Sequence, residues 1–128
     1  MLRSTAAGTW SAENTGLTGD VSEVAIGFGR VWAVAGVKVA TRLLGGGTWS
    51  TSAPLEVTYW RVVPVSADAA LLFRDPNNNE RAARIDSTFT TSPSAAPPTA
   101  LSGRIERRGN ELWAIGYEGG LVRARLVP

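Results

Sequence analysis

Acid–base chemistry in this 128-residue chain rests on eleven carboxylates, because the sequence contains no histidine and no cysteine. Histidine is the commonest general base and metal ligand, and thiolate chemistry needs cysteine. Ser-His-Asp hydrolysis, Cys/His zinc sites and imidazole catalysis are therefore excluded by inventory. Glycoside hydrolysis needs two carboxyls roughly 5–9.5 Å apart. Asp20 with Glu23, Asp68 with Asp75, and Glu111 with Glu118 are the pairs close enough in sequence to consider. None stands in a strongly apolar stretch that would raise a pKa, and all are expected in turns, as solvated acids. Gly27-Phe28-Gly29 and Gly45-Gly46-Gly47 are not phosphate loops, since no Lys-Ser/Thr follows and no helix starts there. The chain is read as non-enzymatic, with no catalytic residue, no metal site and no cofactor.

Binding chemistry is better provided for. Five tryptophans stand at Trp10, Trp32, Trp49, Trp60 and Trp113. An aromatic face on a β-repeat can stack on a sugar ring, but a Trp in a strand also fills the space between sheets, burying about 150–250 Å². Trp32 and Trp113 alternate with aliphatic residues and are expected in the core. Trp10 and Trp49 lie beside Gly-rich turns and are candidate binding residues. In Thr58-Tyr59-Trp60-Arg61 alternation sends Tyr59 and Trp60 to opposite sides, so one of this pair is the best candidate for an exposed aromatic. Arg42, Arg84 and Arg125, each followed by an aliphatic residue, recur near a 40-residue spacing, with Arg3 in phase. They could gather guanidinium groups around a carboxylate or phosphate. The plainer reading is an outer-strand Arg whose stem covers apolar surface and whose head reaches water.

These residues must be positioned by strands. Fourteen Gly and seven Pro are spread along the chain, no stretch has clean 3.6 periodicity, and the apolar runs are β-branched or aromatic. The fold class is all-β in one domain, residues 1–128, large enough to bury roughly two-thirds of its unfolded surface. An N-terminal strand (1–14) precedes three groups, about 17–52, 55–91 and 101–128, with a Pro-rich connection at 92–100. The first predicts strands at Val21–Phe28, Arg30–Ala35, Val37–Leu43 and Thr48–Thr51. The second predicts Val57–Val63, Ala69–Arg74, Arg81–Ile85 and Thr88–Thr91, the third Leu101–Arg107, Glu111–Gly116 and Leu121–Val127. Each reads as a short antiparallel meander. The third lacks a fourth strand, and the strand around Trp10 has no group of its own. A small β-barrel or β-sandwich is the competing architecture.

The groups are internally related. Gly8-Thr9-Trp10-Ser11 returns as Gly47-Thr48-Trp49-Ser50, and Val31-Trp32-Ala33-Val34 as Leu112-Trp113-Ala114-Ile115. A period near 40 is that of one small sheet per repeat. With Leu17-Thr18-Gly19-Asp20-Val21 and Gly29-Arg30 before the second phrase, the sequence resembles blade repeats of β-propellers of the BNR and photosystem-assembly-factor style, in which a blade ends in Gly-x-Thr-Trp. The resemblance covers the first group, the N-terminal stretch and part of the third. The second group matches in strand count, with Phe89 near the Trp position. The carboxylate of that family's Asp-box is missing before both Gly-Thr-Trp copies. The resemblance implies blade-like sheets and carries no site residues.

The functional expectation is a structural or protein-interaction module, working as a homo-oligomer or with other protein subunits; a phage or virion component fits that profile. A lectin-like carbohydrate binder is the alternative, and a glycosidase the third and weakest reading. Net charge is +2, and the tightest basic group, Arg104, Arg107 and Arg108, includes Glu106, so nucleic acid is not an expected partner. No run reaches the ~20 apolar residues of a membrane helix, and the first residues lack the apolar core of a signal peptide, so synthesis in a cytoplasm is expected. Three small sheets cannot close a propeller, whose usual range starts at about four blades. The spare strand near Trp10 is therefore expected to complete the third group, of its own chain or of a neighbour.

Overall fold

A computed structural model describes residues 2–4, 8, 10–74, 82–94, 101–116 and 120–126. All regular elements among them are strands. β1 (Leu2–Ser4) and β2 (Trp10–Ala12) form an antiparallel pair of their own. The first sheet is the meander β3 (Glu23–Gly27), β4 (Arg30–Ala35), β5 (Lys38–Leu43) and β6 (Ser50–Thr51). The second is β7 (Arg61–Ser66), β8 (Ala69–Phe73), β9 (Ala82–Asp86) and β10 (Thr91–Ser94). The third has three strands, β11 (Leu101–Arg108), β12 (Glu111–Gly116) and β13 (Leu121–Arg125).

The sequence-derived meanders are recovered with local corrections. The first strand of the second sheet, expected at Val57–Val63, runs over Arg61–Ser66 instead, so Thr58, Tyr59 and Trp60 precede it. The last strand of the second sheet begins at Thr91, not Thr88, because Asp86 to Thr90 close a hydrogen-bonded turn with Phe89 at φ 66°. That strand also runs into the expected Pro-rich connection, and Pro93 is tolerated because β10 is an edge strand. The Asp75-Pro76-Asn turn phrase lies outside the described residues. The N-terminal stretch is a strand pair, and β2 is not joined to the third sheet of its own chain.

Why these segments turn where they do is local chemistry. Phe28 and Gly29 both have positive φ, 54° and 75°, the requirement of a two-residue turn matched to strand twist. Gly46 and Gly47, at φ 143° and 97°, occupy backbone regions that side chains disfavour.

The three sheets stack through opposite faces. Trp32, Val34 and Val39 leave the first sheet on one side and pack with Val62, Leu72 and Ile85 of the second. The other face of the second sheet sends Val63 and Phe73 against Leu112 and Ile105 of the third. The second sheet is thus covered on both faces. No sheet closes on itself and the layers number three, so neither the barrel nor the two-layer sandwich describes the fold.

First strands make the tightest joint. β3 lies against β7, and β7 reaches β11. At Gly27 an added Cβ would stand 2.9 Å from Pro64 Cβ, so the absence of a side chain there permits the approach. Polar groups then stitch the joint. Glu23 accepts from the Val62 amide at 2.9 Å and pairs with Arg61 at 3.1 Å. Arg30 donates to the Ala67 carbonyl at 3.1 Å, and the Ser22 hydroxyl to that of Trp60 at 3.1 Å. Glu23 and Glu111 are therefore strand residues with partners, not the solvated turn acids expected from sequence.

Trp32 is fully buried. Truncating it to Ala should cost about 3–5 kcal/mol in denaturant unfolding. Trp113, expected in the core, is only half-buried. Trp113→Ala should cost less than about 2 kcal/mol in the same measurement, since only part of its apolar surface leaves water.

Candidate functional site

The sequence-derived candidates do not converge on one pocket. Arg42, Arg84 and Arg125 all stand on the third strand of their sheets, as their spacing suggested. They do not share a role. Arg84 and Arg125 are exposed, as an outer-strand Arg should be. Arg42 is buried, which corrects the expectation that its head reaches water.

Arg42 is held by a carboxylate that sequence reasoning passed over. Its Nε lies 2.6 Å from Glu13 Oε1, although the approach is too oblique for a hydrogen bond from Nε itself. Nη1 donates to the carbonyls of Leu43 at 2.6 Å and Leu44 at 3.2 Å. The guanidinium covers the Trp49 ring at 5.5 Å, and the indole N–H donates to Glu13 Oε1 at 3.0 Å. Trp49 is thus tied to Glu13 and Arg42 at the rim of the first sheet. Glu13 belongs to the segment entering the first sheet. Farther along, the Thr15 carbonyl accepts from Thr51 Oγ1 at 2.9 Å. The segment covers the β5–β6 side of the first sheet's outer face.

Tyr59 is not exposed. It is buried in the joint between first and second sheets. Trp60 is 45% exposed, so the two do face opposite sides. Trp10 is 67% exposed. Among the described residues no cluster of acidic, His or Cys side chains could hold a metal ion. No protein-family model matches the chain, and no curated protein shows significant similarity to it.

A different pair of surfaces stands out once registers are compared. In the first sheet Trp32 lies between Ala25 and Thr41, and Val34 opposite Val39. In the third, Trp113 lies between Glu106 and Arg123, and Ile115 opposite Leu121. Both tryptophans sit on the second strand and on the face turned away from the N-terminal end of the stack. The two phrases thus occupy matching register positions in their sheets. Their environments differ: the second sheet covers Trp32 and Val39, and among the described residues no further sheet covers Trp113. Val39 is 0% exposed and its counterpart Leu121 is 71% exposed. Trp113 is partly shielded by Arg123, 5.4 Å from its ring, and its N–H donates to Glu111 at 3.1 Å.

The opposite end of the stack has the matching deficit. Val24 opposite Ala33 and Ile26 opposite Val31 correspond to Val62 opposite Leu72 and Pro64 opposite Ala70. Val62 and Pro64 are buried beneath the first sheet, whereas Val24 and Ile26 are exposed. Sequence reasoning missed both surfaces, although the signal was available: β3 carries Val24 and Ile26 on the face turned from the second sheet, and Leu121 falls at the position of Val39.

Two measurements test the carboxylates. Removing Glu13 would strand the buried Arg42, so Glu13→Ala should cost about 3 kcal/mol or more in unfolding, and Arg42→Met distinctly less. The Asp86 carboxyl is held below the usual carboxylate range, first by the Thr88 hydroxyl, then by the Thr90 and Thr88 amides, with Arg84 nearby. Because the folded value lies below the unfolded one, Asp86 stabilises the fold above the unfolded pKa of about 4. That contribution fades as pH falls through the lower folded value. Asp86→Asn should flatten the acid limb of melting temperature against pH and leave the curve above pH 6 parallel to wild type.

Proposed function

We propose that this protein is a non-enzymatic interaction module whose two terminal sheet faces are joints for assembly with further protein. One observation carries the reading. The Trp–aliphatic surface that is buried in the first sheet at Trp32 and Val39 has a counterpart in the third sheet at Trp113 and Leu121, where no covering layer is found among the described residues. A sheet face of this composition is stabilised by being covered, and the chain already forms that joint once within itself. Blade-like repeats of a propeller fit this arrangement, and so does a structural component of a larger particle.

The lectin-like reading has less support. Tyr59 lies in the core and Trp49 is tied to Glu13 and Arg42, which leaves Trp10 and Trp60 as exposed aromatics without a repeated set of polar partners.

Burying a Leu side chain contributes about 1.5–3 kcal/mol. Leu121→Glu should therefore weaken association at least tenfold, read as mass against concentration by light scattering, while the melting temperature of the dissociated chain barely moves. Arg84→Ala, at an exposed side chain of β9, should leave association unchanged. Association indifferent to Leu121→Glu, or a glycan array bound through Trp60, would direct attention away from the sheet faces.

A further inference from the structure

The uncovered third sheet also has an open edge. In the first two sheets the third strand is paired by a fourth, β6 on β5 and β10 on β9. Among the described residues nothing pairs with the outer edge of β13. The chain holds one strand with the right sequence for that place. β2 carries Trp10-Ser11, the same phrase that enters β6 as Trp49-Ser50, and each is followed by a segment leading into the first strand of the next sheet. β2 is paired with β1 along one edge only, and its three residues are exposed.

Resting on the assembly reading above, we infer that β2 of a second copy of this chain is the missing fourth strand of the third sheet. The register follows from the first sheet. There Thr41 lies opposite Ser50 and Ala40 opposite Thr51. Trp32 faces Thr41 and Ala33 faces Ala40, while Trp113 faces Arg123 and Ala114 faces Val122. Arg123 and Val122 are thus the counterparts of Thr41 and Ala40. Ser11 of the incoming strand falls opposite Arg123, and Ala12 opposite Val122.

The same step brings the right faces together. Within one chain, the segment after β6 leads into the sheet that covers Trp32. In the partner, the segment after β2 leads into its first sheet, so the exposed Val24 and Ile26 arrive over Trp113 and Leu121. Both deficits are met by one movement, and the joint copies the one between the first and second sheets. The contact is head-to-tail. Sheets repeated radially close in rings of about four to eight, and multiples of three fall in that range only at six. The assembly is a dimer in which each chain gives its β2 to the other.

Engineered cross-links test the register, and the cysteine-free sequence makes them unambiguous. Neighbouring antiparallel pairs have Cα separations of about 4.5 and 5.5 Å, inside the range a disulfide spans. One chain with Ser11→Cys is mixed with another carrying Arg123→Cys and oxidised; Ala12→Cys with Val122→Cys forms the second pair. A covalent two-chain product from at least one mixture is expected, with a light-scattering mass of two chains before oxidation. Ser11→Cys with Arg125→Cys, out of register, should stay unlinked. A dimer that cross-links at neither pair would overturn the strand exchange and leave the assembly reading standing. So would a doubly substituted chain whose disulfide closes within a single monomer. A folded chain that stays monomeric and binds no protein removes both.

Discussion

A pleated strand sends alternate side chains to opposite faces, and a face of aliphatic and aromatic groups must be covered. Nearly everything in this protein follows from how far that requirement is met. β4 is buried on both sides after its first residue, and β8 is close to it. One face of each cannot be satisfied by its own meander, so the sheets stack. The second sheet, covered front and back, is the centre of the molecule. Polar groups enter the joints where strand ends leave carbonyls and amides to be met, at Glu23, Arg30 and Ser22. These contacts fix the sheets relative to one another, and side-chain packing supplies most of the stabilisation.

The carboxylates have a structural division of labour. Glu13 meets a buried guanidinium and an indole at the rim of the first sheet. Asp86 closes the corresponding turn of the second sheet by accepting from Thr88 and Thr90. Each does for its turn what a charged acceptor does near clustered donors, and neither stands in an apolar environment suited to proton transfer.

Much of the shape was legible in the sequence. Gly and Pro punctuation marked the meanders, and the phrases around Trp32 and Trp113 both fall on the second strand of a sheet. What was not legible was the environment of equivalent residues. Trp32 and Trp113 read alike because the phrase encodes a position in a sheet, and burial depends on whether another sheet follows. Arg42 and Arg125 read alike but are out of register: Arg42 lies opposite Val31, and the residue opposite the matching Leu112 is Ala124. Arg42 alone meets Glu13, whose distance along the chain gave no local sign of the contact. Tyr59 and Trp60 were correctly split between inside and outside, but only packing against the second sheet decided that Tyr59 was the inner one.

The close approach at Gly27 has a consequence for larger scales. The close approach of Gly27 to the Pro64 ring sets how near the first and second sheets come at this joint. In a polar array, where the front of one unit meets the back of another, small errors in tilt accumulate. At one angle the array bites its own tail and becomes finite. At a slightly different angle it misses, and the same surfaces propagate as a filament. A side chain at position 27 would wedge the inner edges apart and alter the angle per layer. In the assembly proposed above, one methyl group placed there would act on the topology, far beyond the atoms it touches.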